Sequence, residues 1–301
     1  MQVSANIIYR LYNHVIQYYF HQSAIQSKDS KDKTIHEMHT FKDLYKLGSK
    51  LGSGGFGTVY KCYSRRSCTP YAVKFISQCS HYTYCRDARE DVPDEIMLWR
   101  GLEHPNIIRY IRHFLEDDQW IIVMEFCQGY EDLFNYVNTR EGYLSEDKIA
   151  NIMSQTLSAI TYCRRHGVDH RDIKDDNILY NPKTGDIKLI DFGCASSLSP
   201  TPYTVFQGTE SFHPPEWFLY GEYDSCDATV WTLGTLCFSL VNKCYPYDDI
   251  TGVKWHSKKP WRNDMVSATC KRFISSCLRH NPGRRNELST LHRNAFLRSH
   301  K

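Results

Sequence analysis

The sequence predicts an α+β fold of two lobes with a cleft between them. Alternating, strand-like segments dominate the first part of the chain, whereas helical periodicity dominates after Gln128-Gly129. A glycine-rich hairpin in the first part and a polar, acidic loop in the second part would form the two walls of such a cleft. A chain of 301 residues suits one large two-lobed domain or two domains.

Composition narrows the function classes. The chain is 41% hydrophobic and 24% charged, which is ordinary for a soluble globular protein. A net charge of +3 without a long basic run argues against nucleic-acid binding. Apolar runs stay well short of the roughly 20 residues of a membrane span. Polar residues also interrupt the N-terminal apolar stretch, so we expect neither a transmembrane segment nor a secretory signal. The cytoplasm is the expected location, with the nucleus as a second possibility.

The 12 cysteines and 14 histidines show no metal-ligand pattern. No CxxC pair and no Cys/His run with zinc spacing occurs. We expect a reduced, intracellular protein with buried thiols, and extracellular disulfides remain the alternative.

Residues 1–40 are predicted to be an N-terminal extension. Apolar residues recur at helical spacing and form one stripe, and a polar linker follows. The stripe comprises Ile7, Ile8, Leu11, Tyr12, Val15, Ile16, Tyr19 and Phe20. Such a helix either packs on its own domain or docks on a partner or a membrane surface.

The elements of the first lobe follow in order. The stretch from Phe41 to Ile76 alternates like strands around a glycine cluster, residues 91–102 have helical spacing, and residues 120–126 form an apolar run typical of a buried strand. Helical segments then follow at 131–137, 146–167, 227–241 and 268–280. We therefore divide the domain, 41–298, into an N-lobe (41–125), a hinge (126–130) and a C-lobe (131–298).

The glycine cluster has the GxGxxGxV pattern. It is followed by a β-rich segment, which indicates a hairpin and not the helix that follows the glycines of a dinucleotide-binding fold. Glycine allows the backbone to approach phosphate oxygens without a clash at Cβ, and Phe56 at the tip would exclude water. A plain flexible turn is the alternative. The candidate nucleotide-binding residues of this stretch are Leu51, Gly52, Ser53, Gly54, Gly55, Phe56, Gly57, Thr58 and Val59.

Lys74 ends an apolar strand near this hairpin. Its ammonium group is a candidate ligand of the α- and β-phosphates of a nucleotide. A carboxylate is needed to hold it, and Glu95 in the apolar VPDEIMLW segment is the best candidate, with Asp94 and Glu90 as alternatives.

Residues 170–193, HRDIKDDNILYNPKTGDIKLIDFG, carry the chemistry. They supply a candidate base, Asp172, a neighbouring cation, Lys174, and two oxygen ligands suited to Mg²⁺, Asn177 and Asp191. These groups can hold a Mg²⁺-bound triphosphate beside a hydroxyl. A polar loop followed by an ordinary turn is the alternative.

These motifs together resemble a eukaryotic-type protein kinase over residues 41–298. Lys174, two residues after the base, resembles the serine/threonine branch. The chain is similar to the PIM subgroup in the segments LGSGGFGTVY, VPDEIMLW, DLFNYV, HRDIKDDNIL, KLIDFG and VWTLG. The resemblance implies transfer of the γ-phosphoryl group of ATP, with Mg²⁺, to Ser or Thr of protein substrates. A monomer is expected. A pseudokinase that only binds or scaffolds is the rival, although none of the usual catalytic residues is missing.

The resemblance also implies nucleotide contacts at the hinge. Met124 resembles the gatekeeper, and Leu51, Val59, Ala72 and Leu179 would enclose the adenine. PIM kinases have a proline at the position of Cys127. Because Cys127 retains its N–H, we predict two hinge hydrogen bonds, one to the Glu125 carbonyl and one from the Cys127 N–H.

Further residues are assigned by position in the family pattern. Thr209 resembles the threonine that bridges the catalytic Asp and Lys, Glu216 with Arg285 resembles a structural ion pair, and His170 resembles a core-packing histidine. One departure concerns Thr229, which stands where most kinases place the aspartate of a DxWxxG helix that holds the catalytic loop. PIM kinases lack that acid too.

Substrate choice and regulation are less constrained. Acids near the catalytic loop are candidates for binding Arg or Lys upstream of the target residue, and a solvated acidic surface is the alternative. Arg171 commonly meets an activation-loop phosphate in this superfamily, but PIM kinases are active without it, which favours constitutive activity. The candidate acids are Asp132, Asp175, Asp176, Asp248 and Asp249.

Overall fold

The computed structural model describes residues 39–55, 57–76, 92–247, 260–261 and 265–298. The described residues from Thr40 onward belong to one compact unit. Several sequence predictions fall outside the described residues: the N-terminal helix, Phe56, Glu90, Asp248 and Asp249.

The N-lobe is built on a five-stranded antiparallel sheet in the order β1-β2-β3-β5-β4. Val73, Ile121 and Val123 from its central strands are buried. Its strands are β1 (Tyr45–Gly54), β2 (Gly57–Ser64), β3 (Pro70–Phe75), β4 (Tyr110–Glu116) and β5 (Gln119–Glu125).

The strand-like reading of residues 41–44 is wrong. These residues form one helical turn, α1 (Phe41–Leu44), because Thr40 and Asp43 make a reciprocal capping box. Phe41 is buried and packs edge-on against Phe75 and Phe114, at centroid distances of 5.9 Å. This aromatic cluster fixes the start of the sheet.

Helix α2 (Asp94–Trp99) is shorter than the predicted segment and contacts the C-lobe through Trp99. Trp99 donates to the Ile108 carbonyl oxygen at 2.7 Å and stacks on Phe192 at 5.7 Å between centroids. Since Phe192 directly follows Asp191, this stack fixes α2 against the segment that carries one predicted metal ligand.

The C-lobe is mainly helical. Its helices are α3 (Leu133–Thr139), α4 (Glu146–Arg165), α5 (Pro215–Tyr220), α6 (Ser225–Asn242), α7 (Ala268–Cys277) and α8 (Ala295–Arg298). Helix α6 is buried along most of its length. Gly234 permits close packing of α6 on α7, because a Cβ there would lie 2.7 Å from the Cys277 Cβ.

Short strands frame the loop between α4 and α5. They are β6 (Glu131–Asp132), β7 (Val168–Asp169), β8 (Ile178–Tyr180), β9 (Ile187–Leu189) and β10 (Ser196–Ser197). β6, β8 and β9 form one small sheet, and β7 pairs with β10. Leu189 in β9 exchanges backbone hydrogen bonds with Asn106 and Ile108, at 2.8 and 2.9 Å. The lobes therefore meet where β8 and β9 flank the predicted catalytic residues.

Two further features of the described residues are the state of their cysteines and the apolarity of their helices. All ten cysteines in the described part of the chain are free thiols, and six of them are buried. Among the described helices, none combines the length and apolarity needed to cross a bilayer.

Candidate active site

The glycine hairpin lies between β1 and β2, where Gly54 pairs with Gly57. Gly57 has a φ of +135°, and a Cβ there would lie 2.2 Å from the Phe75 carbonyl oxygen. Only glycine fits this position. At Gly52, Gly54 and Gly55, by contrast, an added Cβ would meet no atom within 4 Å. The hairpin backbone is thus open on the side where a phosphate would approach.

Lys74 and Glu95 form a buried ion pair, with 2.7 Å between Nζ and Oε1. Lys74 Nζ also lies 2.9 Å from Asp191 Oδ1. Burial alone would lower the pKa of Lys74, but the two carboxylates raise it above its ordinary value, so the ammonium stays charged. Burial would raise the pKa of Asp191, yet Lys74 holds it below its ordinary value. The cleft therefore contains one fixed cation and at least one ionised carboxylate.

Three side chains form a triangle in the loop after β7. Asp172 Oδ2 lies 2.9 Å from Lys174 Nζ, and Lys174 donates to Thr209 Oγ1 at 2.5 Å. The backbone N–H and the hydroxyl of Thr209 both donate to Asp172 Oδ1 at 2.9 Å. Asp172 is 6% exposed, so its carboxylate is held at a fixed position at the edge of the cleft.

Asn177 and Asp191 fit a Mg²⁺ site. Asn177 Nδ2 donates to the Asp172 carbonyl oxygen at 2.8 Å and to Asp172 Oδ2 at 2.7 Å, which leaves the amide oxygen as its acceptor. The backbone carbonyl oxygen of Asn177 accepts a hydrogen bond from the backbone N–H of Ile190, the residue before Asp191, at 2.9 Å. The described residues contain no cluster of three His, Cys, Asp or Glu for a metal. Two hard oxygens agree with Mg²⁺, which is usually bound by one or two carboxylates and substrate phosphates.

His170 is a packing residue in this geometry. Its ring is 3% exposed, contacts Phe192 edge-on at 4.9 Å, and places Nε2 3.1 Å from the Ile190 carbonyl oxygen. Burial lowers the pKa of His170, so the neutral ring is favoured. These contacts agree with the predicted core role.

The predicted adenine pocket lies around β3, β5 and the hinge. Ala72 pairs with Met124 across β3 and β5, and both are buried. Cys127 is half-buried, and burial raises the pKa of its thiol to about 12, which keeps it protonated. Val59 and Leu179 are half-buried, and Leu51 is 49% exposed at the start of the hairpin. The two hinge hydrogen bonds to adenine stay a prediction.

A family model of the protein kinase domain matches residues 45–297, which is most of the chain. The chain belongs to the protein kinase family. The kinase is 37% identical over 262 residues to serine/threonine-protein kinase pim-2 of Danio rerio, covering 83% of this chain and 84% of that relative. It is 36% identical over 255 residues to serine/threonine-protein kinase prk-2 of Caenorhabditis elegans, covering 83% of this chain and 57% of prk-2.

Another relative is sperm motility kinase 2A of Mus musculus, 34% identical over 230 residues. That match covers 75% of this chain and 44% of sperm motility kinase 2A. It thus spans about half the length of some relatives and most of pim-2. These similarities support a serine/threonine protein kinase with a bilobal fold that resembles the PIM subgroup.

The acids near the catalytic loop differ in their surroundings. Asp175 is 3% exposed and accepts from Ser239 and Tyr245, both at 3.3 Å. The prediction that Asp175 binds a basic substrate is therefore wrong, because its carboxylate is committed to the C-lobe interior. Asp132 is half-exposed and caps α3 by accepting from the Asn135 N–H at 2.8 Å. Asp176 is exposed.

The burial of Asp175 makes stability depend on pH. Burial, with a smaller contribution from Asp176, raises the pKa of Asp175 from 3.8 to about 6. The folded state therefore favours the protonated carboxyl, and this stabilisation is present below about pH 4 and lost as the pH rises through about 6.

We expect Asp175→Asn, which is neutral at every pH, to retain that stabilisation. We compare the free energy of unfolding of this variant with that of wild type at each pH. The difference between the two should be about 2–3 kcal/mol larger, in favour of the variant, at pH 7 than at pH 4. Urea denaturation at several pH values would measure this difference. A difference that stays constant from pH 4 to pH 7 would contradict the expected titration of Asp175.

Sequence reasoning missed two ion pairs beside the site. Lys188 in β9 lies 2.7 Å from Glu125 Oε1, which also accepts from the Arg109 N–H at 2.7 Å, so the residue before the hinge is fixed to both lobes. Arg164 at the end of α4 pairs with Asp169 in β7. Neither pair belongs to a motif. The one indication of the second pair in the sequence was Asp169 itself, an acid between Val168 and His170.

Proposed function

We propose that this kinase transfers the γ-phosphoryl group of Mg²⁺-bound ATP to Ser or Thr of protein substrates that carry basic residues upstream of the target. The observation that carries the proposal is the triangle of Asp172, Lys174 and Thr209 beside the buried Lys74–Glu95 pair. Both halves of a phosphoryl-transfer site are then complete, the phosphate-binding half and the acceptor half. This arrangement matches the general kinase template.

On the nucleotide side, the residues of this chain bind and orient. Lys74, held by Glu95, would contact the α- and β-phosphates, and the open hairpin backbone would lie over the phosphates. Asp191 and Asn177 would hold Mg²⁺, which neutralises phosphate charge when bound.

On the acceptor side, Asp172 would accept a hydrogen bond from the substrate hydroxyl and then its proton. Thr209 and Asn177 fix the carboxylate from two sides, so it needs no reorganisation when the acceptor arrives. Lys174 would offset the negative charge that the γ-phosphoryl group brings to the Asp172 carboxylate. Its bond to Thr209 holds its ammonium in that place.

Activity without an activation-loop phosphate has support in the contacts of Arg171. Its Nε donates to the Cys194 carbonyl oxygen at 2.9 Å, its guanidinium donates to Gln207, and it lies 5.0 Å from the centroid of the Tyr203 ring. The guanidinium is thus bound by the unmodified loop. We propose that the kinase is constitutively active.

A peptide library assayed with Mg-ATP tests the proposed function. We expect phosphorylation of Ser and Thr peptides and a preference for Arg or Lys upstream of the acceptor. Asp176→Asn should reduce kcat/KM for a basic peptide by about two- to fivefold, as expected for a single exposed ion pair. Glu103→Gln, which alters an exposed acid outside the catalytic loop, is the matched control. A profile without basic preference would contradict the substrate class, and no transfer to any peptide would favour the pseudokinase alternative.

A further inference from the structure

Helix α6 lacks, at position 229, the aspartate with which most protein kinases hold the catalytic loop. Thr229 stands there, and its hydroxyl donates to the Ser225 carbonyl oxygen at 2.7 Å, one turn earlier in α6. The Thr229 side chain is therefore bonded within its own helix. A different group must connect the catalytic loop to α6.

The loop needs such a connection because its backbone is strained. Arg171, directly before Asp172, has a φ of +62°, in the left-handed region that disfavours residues with a Cβ. A non-glycine residue held there is strained and persists only when its surroundings fix it. The position of the Asp172 carboxylate depends directly on this residue.

Arg164 and Asp169 connect the three elements around the loop. Arg164 donates through Nη1 to Asp169 Oδ1 and to Ser225 Oγ, the latter at 3.2 Å, and through Nη2 to Cys226 Sγ at 2.8 Å. Its side chain thus links the end of α4, strand β7 and the first turn of α6. Asp169 is 2% exposed and lies three residues before Asp172.

The second carboxylate oxygen of Asp169 is unpaired among the described residues, and Asp169 lines a gap beside position 229. This oxygen, Oδ2, is buried. Asp169, Arg171, Ser225 and Thr229 line a cavity of about 20 Å³, roughly the room that one water molecule needs. The buried carboxylate thus lines the same space as the loop arginine and the threonine that replaces the family aspartate.

We propose that Asp169, held by Arg164, is a positioning residue that fixes the catalytic loop to α6 in place of an aspartate at position 229. Asp169 acts through the loop backbone and touches no substrate. The inference rests on the proposed role of Asp172 as the catalytic base, and it adds the residue that positions Asp172. Removal of Asp169 should therefore lower kcat and leave KM for ATP nearly unchanged.

Three variants test the proposal, one of them through rescue. Asp169→Leu removes the carboxylate, and we expect kcat to fall about 10- to 100-fold, as for a small displacement of a catalytic group. Thr229→Asp added to Asp169→Leu restores the family arrangement, and we expect kcat to return to within about threefold of wild type. Thr229→Asp alone places a second buried carboxylate beside Asp169, so it should lower stability and activity.

Leu297→Ala in α8 separates positioning from general destabilisation. Leu297 is 4% exposed and lies in another element, so this variant should lower the melting temperature without a comparable loss of kcat. If Asp169→Leu does not fold, Asp169→Asn with and without Thr229→Asp provides the same comparison.

The outcomes are distinct. If wild type is active and the kcat of the Asp169 variant lies within twofold of the wild-type kcat, this inference alone is overturned. The same holds if the Asp169 variant loses kcat and Thr229→Asp does not restore it. An inactive wild type would contradict the proposed function and this inference with it.

Discussion

Asp172→Asn is expected to lower kcat for peptide phosphorylation by about 10²- to 10⁴-fold, the usual contribution of a positioned general base. The amide is nearly isosteric, but it cannot accept the hydroxyl proton. Its NH₂ group would also face two donors, Lys174 Nζ and Asn177 Nδ2, where the carboxylate now accepts both. The loss should therefore appear in the chemical step, measured by single-turnover kinetics with saturating Mg-ATP.

Nucleotide binding provides the control for this experiment. The Lys74–Glu95 pair and the glycine hairpin are separate from Asp172, so the dissociation constant for Mg-ATP should change by less than about threefold. Glu103→Gln, an exposed substitution, should leave both quantities at wild-type values. Equal kcat in wild type and Asp172→Asn would exclude Asp172 as the base.

The sequence predicts this site well because its groups lie in short motifs. Asp172, Lys174 and Asn177 fall within six residues, so their spacing alone specifies a loop that brings them together. Lys74 and Glu95 lie on a strand and a helix whose periodicity could be read directly. The contacts of Thr209 with Asp172 required the family pattern, because 37 residues separate the two.

Burial by distant residues escaped sequence reasoning. Asp175 follows the catalytic lysine and resembles a surface acid, yet Ser239 and Tyr245, 64 and 70 residues later, enclose its carboxylate. Arg164 and Asp169 are close in sequence, but Ser225 and Cys226 from α6 complete their network. Each of these cases depends on tertiary contacts that override local pattern.

The Glu216–Arg285 pair is expected to have the largest effect on stability. Arg285 donates through both terminal nitrogens to the two oxygens of Glu216, at 2.7 and 2.6 Å, and its side chain is 0% exposed. It also donates to the carbonyl oxygens of Asp227 and Arg279 and lies 5.0 Å from the Trp231 ring centroid. One guanidinium thus connects α5, at the end of the activation segment, to α6.

Arg285→Met should lower the free energy of unfolding by about 3–5 kcal/mol, because it leaves the Glu216 carboxylate buried without its partner. Urea denaturation measures the loss. The matched control is Lys188→Met, since the Lys188 and Glu125 side chains are 16% and 21% exposed and water can solvate the remaining carboxylate. We expect that variant to lose only about 1 kcal/mol.

The double variant Glu216→Leu/Arg285→Met identifies the cause of the loss. If the penalty comes from an uncompensated buried charge, removing both charges should recover much of it, because buried pairs are often replaceable by apolar residues. If the carbonyl contacts of Arg285 dominate instead, the double variant will remain as unstable as Arg285→Met. A loss in Arg285→Met no larger than that in Lys188→Met would contradict the assignment, because the depth of burial is what distinguishes the two pairs.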